Sequence, residues 1–250
     1  MIDGDPRMIP KKIHYIWLGG QAKPNSVIKQ IDSWKQKLPD YQIKEWNETN
    51  YDFSKIKSKY IQQAIQKKMW AFVSDYVRLD ILNEEGGIYM DTDVEVLKNF
   101  DDLLNNKSFI GRESQYTLST ATIGSKPGQP WLNDLIQDYD QRTFISSNGT
   151  LDKKPNSKYI LSYFVSKYGF HNTVSDKKQV INGVTIYPIT YFSPMNFLNH
   201  KMNVSDNTVV VHHYSGTWKS PSSRFKDAVL MILNLLLSEN VVESLKRKLK

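Results

Sequence analysis

Residues Ala71 to Leu97 read A-F-V-S-D-Y-V-R-L-D-I-L-N-E-E-G-G-I-Y-M-D-T-D-V-E-V-L. Val73, Val77 and Ile81 recur four apart, and Tyr76, Leu79 and Leu82 three apart. Apolar residues therefore cover most of a helix surface, as expected of an interior helix. Asp75 and Arg78 are three apart and share one face of it. Gly86-Gly87 supplies the positive-φ stop that ends helices. Beyond it Ile88, Met90, Val94 and Val96 alternate with Tyr89, Asp91, Asp93 and Glu95, which predicts a strand that ends in the two aspartates. On a period of two, Asp91 and Asp93 project to one side and Thr92 to the other. Two carboxylates side by side at a strand end make a hard oxygen site, suited to Mg²⁺ or Mn²⁺ holding a diphosphate.

A lone D-x-D arises in any acidic turn, and an Asp three residues before an Arg is commonly a helix salt bridge. The specific signal is the combination: S-D-x-x-R at Ser74–Arg78, then G-G-I-Y-x-D-x-D at Gly86–Asp93, on one helix-to-strand unit. In this combination the chain resembles the glycosyltransferase family with a sugar-binding region containing the DXD motif. That is the family 32 type, related to capsular polysaccharide transferases and to the catalytic domains of large clostridial glucosylating toxins. The resemblance implies a GT-A type α/β fold. It also implies a divalent metal, a nucleotide-sugar donor and retention of anomeric configuration.

Chain length and composition agree with an enzyme of that kind. At 250 residues the chain can bury one sizeable core, and 40% hydrophobic with 24% charged residues is ordinary globular usage. There is no cysteine, which removes disulfides, thiolate zinc sites and thiol nucleophiles. No run of ~18–20 apolar residues and no signal-peptide core is present. The expectation is a cytoplasmic protein. The net charge of +7 suits an anionic membrane or a phosphorylated substrate. The lysines are scattered and no nucleic-acid module is visible, so nucleic acid is not an expected partner.

Upstream, Ile9-Pro10-Lys11-Lys12-Ile13-His14-Tyr15-Ile16-Trp17-Leu18-Gly19-Gly20 reads as a first strand, apolar on both faces, with a glycine turn after it. Such a strand belongs inside an α/β sheet, and nucleotides bind at the C-terminal ends of those strands. Ile16, Trp17 and Gly19 are therefore candidate nucleotide contacts. On the strand alone Trp17 reads as a core residue. The resemblance reverses this, because I-P-K-x-I-H-x-I-W-x-G opens the family domain and its tryptophan stacks on the base. A helix carrying Val27, Ile31, Trp34 and Leu38 follows, with Asn25 as its expected cap and Pro39-Asp40 as its stop. Tyr41–Trp46 is a second strand and residues 58–69 a further helix. The first hundred residues thus alternate strand and helix as a Rossmann-like half, with the D-x-D on its last strand.

The second half is less regular and reads as the acceptor side. Strands are expected at 109–111, 117–124, 180–187 and 207–214, and helices at 130–144 and 158–168. Thr120 to Trp131 resembles the family segment after the D-x-D, with Thr120 where an Asn and Gln129 where a His is more usual. Asn207 to Lys219, N-T-V-V-V-H-H-Y-S-G-T-W-K, ends a buried strand in two histidines. A His at a strand end is ordinarily just hydrogen-bonded. The resemblance instead implies that one late histidine closes the metal shell of Asp91 and Asp93. His213 is the first choice by its H-Y-S-G context, and His212 the second. Trp218 and Lys219 follow, placed to close over the leaving diphosphate.

Residues 1–8 are expected to be vector-derived or disordered, 9–224 to form the transferase domain and 225–250 a basic amphipathic helical segment. That last segment either docks on the domain or attaches peripherally to an anionic membrane. The resemblance further implies that Asp75 takes ribose or donor-sugar hydroxyls and that Arg78 orients the donor. The Trp17 context matches the UDP-using branch, with GDP-mannose as the alternative donor. The acceptor is expected to be a glycan or lipid-linked glycan of a bacterial surface polysaccharide, with a protein acceptor second. A metal-dependent phosphohydrolase would also use Asp91, Asp93 and His213, but would need neither the Trp17 strand nor the Asp75–Arg78 helix.

Overall fold

The computed structural model describes residues 7–197 and 199–216. In chain order the elements are strand β1 (Lys12–Ile16), helix α1 (Asn25–Lys37), β2 (Gln42–Trp46), α2 (Lys59–Gln66), α3 (Trp70–Glu85), β3 (Gly87–Met90) and β4 (Val94–Val96). They continue with β5 (Ser108–Ser114), β6 (Thr117–Ser125), α4 (Pro130–Asp140), α5 (Asn156–Tyr168), β7 (Gln179–Ile181), β8 (Val184–Tyr187), α6 (Ile189–Phe192) and β9 (Val210–His212). Among the described residues seven strands form one mixed sheet in the order β2-β1-β3-β6-β5-β8-β7, and β4 pairs with β9 in a small second sheet. β2, β1 and β3 run parallel, and β6 is antiparallel to β3.

Apolar side chains fill both faces of the large sheet. On one, Val73, Val77, Leu79 and Leu82 of α3 pack with Tyr89, Ile110, Ile123 and residues of α4 and α5. On the other, Val27, Ile31 and Trp34 of α1 pack with Ile88, Met90, Phe109, Val94 and Val210. Alternate residues of β3 thus serve opposite cores, as the period of a strand requires. No helix among the described residues is long and apolar enough to cross a membrane.

α3 ends where the two glycines begin. A Cβ on Gly87, which has φ +103°, would lie 2.8 Å from His14 Nε2 and 2.8 Å from the Lys12 carbonyl. This close approach lets His14 lock the turn to β1. Its Nε2–H donates to the Gly86 carbonyl (2.8 Å), and its Nδ1 accepts from Trp46 Nε1 of β2 (3.0 Å).

Four expectations are corrected. The D-x-D does not lie on the strand itself, because β3 stops at Met90. Val94 N–H closes on the Asp91 carbonyl at 3.1 Å, so the chain turns after Met90 and begins β4 in the other sheet. The far edge of β4 is held by α1: Trp34 Nε1 (2.7 Å) and Gln30 Nε2 (2.8 Å) both donate to the Val94 carbonyl, and Lys37 Nζ to that of Val96 (2.7 Å). Residues 179–187 are a hairpin turning at Asn182-Gly183, not one strand. Asn25 does not cap α1; the Pro24 carbonyl starts that helix by accepting from Val27 and Ile28. The strand expected at 207–214 is shortened to three residues, because only these pair with β4.

Candidate active site

β1 and β3 are parallel neighbours, so their C-terminal ends open on the same edge of the sheet. The loop at Trp17–Gly19 and the turn at Asp91–Asp93 therefore face a common mouth, where open α/β sheets bind nucleotides. β9 reaches this mouth through its pairing with β4, which sets His212 opposite Val94.

Asp91, Asp93 and His212 each offer a ligand atom, all within 4.8 Å of one another. Asp91 Oδ1 accepts from the Tyr89 hydroxyl at 2.6 Å. Asp93 Oδ2 accepts from the backbone N–H (2.8 Å) and hydroxyl (3.0 Å) of Ser215, and its Oδ1 lies 3.3 Å from His212 Nε2. Burial opposes the charge on Asp93, but His212 and Ser215 outweigh it and pull its pKa down to about 2. Burial likewise opposes charge on His212, yet Asp93, Asp91 and Glu113 raise its pKa above the ordinary value. The buried His212 Nδ1 has no hydrogen-bond partner. Two carboxylates and an imidazole, with acidic groups crowded and one ring nitrogen orphaned, form a donor set that fits a divalent cation such as Mn²⁺ or Mg²⁺.

Strand alternation separates the two histidines. His213 points away from the aspartates, and its Nε2 meets Glu95 Oε2 at 2.9 Å. His212, the second choice from sequence, is the one brought to Asp93.

Behind the aspartates lies a buried charge network. Arg78 is 5% exposed; its Nη2 contacts Asp75 Oδ1 at 3.0 Å and its Nη1 contacts Asp91 Oδ1 at 3.4 Å. It also donates to the carbonyls of Ser74 (3.1 Å) and Thr120 (2.7 Å) and sits over the Tyr89 ring. Burial opposes its charge, but Tyr89, Asp91 and Asp75 hold its pKa above the ordinary value. Burial pushes Asp75 up to about 6 against the pull of Arg78. The Ala121 carbonyl accepts the Asp91 N–H at 2.9 Å. Residues 120 and 121 thus serve the site through backbone carbonyls, which a change of side chain at Thr120 leaves intact.

At the nucleotide edge Ile16 is buried in the α3-side core, whereas Trp17 is half-buried and donates its indole N–H to the Gln21 carbonyl at 2.6 Å. Gly19 has φ +97°, and a Cβ there would lie 2.7 Å from Trp70 Nε1. Trp70, Tyr89 and Ser215 were not picked out by sequence reasoning. Tyr89 and Ser215 lie inside the G-G-I-Y and H-Y-S-G strings, but their hydrogen bonds to the aspartates depend on tertiary geometry. Trp218, Lys219 and the segment 225–250 lie outside the described residues.

Residues 24–110 match the family model described as "Glycosyltransferase sugar-binding region containing DXD motif". The match contains the Asp75–Arg78 helix and both aspartates of the mouth. Residues 24–110 thus carry the sugar-binding region of DXD-type glycosyltransferases. The chain is 24% identical over 202 residues to an uncharacterized glycosyltransferase of Acanthamoeba polyphaga mimivirus, covering 78% of this chain and 76% of that protein. It is 27% identical over 149 residues to a mannosyl phosphorylinositol ceramide synthase of Saccharomyces cerevisiae, covering 56% of this chain but only 38% of that protein. Among solved structures it resembles the PaToxG glycosyltransferase, with a TM-score of 0.50 and 22% identity over 64% of this chain and 70% of that one. The fold is thus the GT-A type.

Proposed function

We propose that the protein is a metal-dependent, retaining hexosyltransferase that moves a hexose from a UDP-sugar to a glycan or lipid-linked glycan acceptor of a bacterial surface polysaccharide. The observation that supports this reading is the convergence of Asp91, Asp93 and His212 at the mouth shared by β1 and β3. Asp91 and Asp93, with His212 as the third ligand, would hold the ion. When bound, a divalent ion supplies fixed positive charge where the leaving diphosphate becomes more negative. The chain's own residues prepare that place. Tyr89 and Arg78 fix the Asp91 carboxylate, and Ser215 fixes Asp93, so little reorganisation is needed as charge develops. Trp17 offers an aromatic face for the uracil, and Asp75 a carboxylate for ribose or sugar hydroxyls.

In the transfer, the bond between the anomeric carbon and the diphosphate oxygen breaks, and that oxygen keeps the electron pair. A bond forms from the acceptor hydroxyl oxygen to the same carbon, and the hydroxyl proton is released. Asp75, Asp91 and Asp93 are engaged with Arg78, His212 and Ser215, and Glu113 is largely buried beside His212. A same-face attack on an ion-pair-like donor therefore fits better than a covalent glycosyl-enzyme, which needs a free carboxylate nucleophile. A lipid-linked acceptor draws support from the yeast relative, which is named for a mannosyl lipid. The basic sequence Lys246-Arg247-Lys248 suits peripheral contact with an anionic bilayer.

The test is Mn²⁺-dependent hydrolysis of a panel of UDP- and GDP-sugars by wild type and Asp93→Ala. Release of UDP from one sugar nucleotide, lost in the variant, supports the reading and names the donor. Cleavage of a simple phosphoester with no nucleotide-sugar turned over would replace it with a phosphohydrolase.

A further inference from the structure

Glu113, near the end of β5, is an acidic side chain at the mouth to which neither the sequence motifs nor the mechanism above gives a role. Its side chain is 18% exposed, and its Oε1 lies 4.0 Å from His212 Nδ1. The other ring nitrogen of His212 is 3.3 Å from Asp93 Oδ1. The imidazole therefore stands between two carboxylates, one at each nitrogen. The Tyr214 ring covers it with centroids 4.0 Å apart, and Tyr214 itself holds φ +51°, an uncommon backbone conformation for a non-glycine residue. At 4.0 Å the Glu113 contact is about 1 Å longer than a hydrogen bond. His212 Nδ1 is buried without a partner, and Glu113 is the acidic group beside it. Glu113 also lies outside the set of three whose ligand atoms converge.

Histidines that ligate a metal through one nitrogen ordinarily donate the other N–H to a carboxylate, carbonyl or water, which fixes the tautomer and the ring plane. We infer that Glu113 is the positioning residue for His212, accepting its Nδ1–H so that Nε2 is presented beside Asp93 to the divalent cation. The inference rests on the reading of Asp91, Asp93 and His212 as the metal site. It requires the separation of His212 Nδ1 and Glu113 Oε1 to shorten by about 1 Å.

The experiment is Mn²⁺ titration followed by electron paramagnetic resonance, without nucleotide, on the full chain as wild type, Glu113→Gln, Glu113→Ala and Asp93→Ala. Circular dichroism and the melting temperature of each metal-free form verify that it is folded. Glu113→Ala is expected to weaken Mn²⁺ binding by about 10–100-fold. Glu113→Gln is expected to stay within about fivefold of wild type, because its amide oxygen still accepts from Nδ1–H. Asp93→Ala should remove binding. If wild type binds, Asp93→Ala does not, and Glu113→Ala binds like wild type, the metal site stands and the positioning role is overturned. Loss of binding in Glu113→Gln as complete as in Asp93→Ala would make Glu113 a direct ligand and also overturn it. If wild type binds no Mn²⁺, or binds it no better than Asp93→Ala, the metal reading and this inference fall together.

Discussion

His14 ties β1 to the start of β3 and to β2, and its protonation is a direct probe of the unit that carries the site. The ring is fully buried, donates to the Gly86 carbonyl and accepts from Trp46 Nε1, so it is held in its neutral form. Burial, only partly offset by the Gly86 carbonyl and Glu85, lowers its pKa from 6.5 to about 4. Above pH 6.5 neither the folded nor the unfolded form binds this proton, and its contribution to stability is constant. Between the two values the unfolded chain binds a proton that the folded chain refuses, so stability falls as the pH is lowered and levels off below about 4. From pH 7.5 to pH 5 those two values give a loss of roughly 2 kcal/mol. His14→Gln is the reference, because an amide offers one donor and one acceptor to the same partners without titrating. Urea denaturation of both proteins at the two pH values isolates the histidine, since the other ionisable groups are shared. The expected result is that wild type loses roughly 2 kcal/mol more than His14→Gln. Equal losses within about 0.5 kcal/mol would refute the assignment of a neutral, doubly bonded His14.

Three further outcomes follow from packing at the mouth. Arg78→Met leaves Asp75 and Asp91 without their buried cation and should cost about 3–5 kcal/mol, read as a lower urea midpoint at pH 7.5. Arg78→Lys keeps the charge but cannot replace the fork that reaches Asp91 and the Thr120 carbonyl, so it should still be clearly destabilised. Gly19→Ala forces a side chain onto Trp70 at positive φ, and should weaken UDP binding, measured calorimetrically, by about tenfold while costing about 1–3 kcal/mol of stability. Unchanged UDP affinity in that variant would remove the Gly19 loop from the nucleotide site.

Much of the fold was legible because its cues are local. The apolar periodicity of Val73, Val77 and Ile81 specified a buried helix wherever it packed, and Gly86-Gly87 ended it as read. The parallel β1-α1-β2 unit followed from apolar strands separated by an amphipathic helix. The hairpin at Asn182-Gly183 was also signalled, by the dipeptide that favours tight hairpin turns, but the flanking apolar run was read as one strand. The break after Met90 had no such signal: the alternation from Ile88 to Val96 fits a continuous strand equally well. What breaks it is the pairing of β9 along one edge of β4 and the hold of α1 side chains on the other.

The short strings that carry the chemistry, S-D-x-x-R and D-x-D, already placed Asp75, Arg78, Asp91 and Asp93 in one unit, because helix and strand periods dictate which neighbouring side chains share a face. Which late residues join them is a different kind of question. Ser215 meets Asp93 across 122 positions of sequence. Whether His212 or His213 arrives there depends on the register of β9 against β4. A shift of one residue exchanges the two faces of a strand. Nothing within H-H-Y-S-G encodes that register. It is set by the packing of Val94, Val96 and Val210 into the core beneath α1, and so the third member of the site emerges only when the chain is folded.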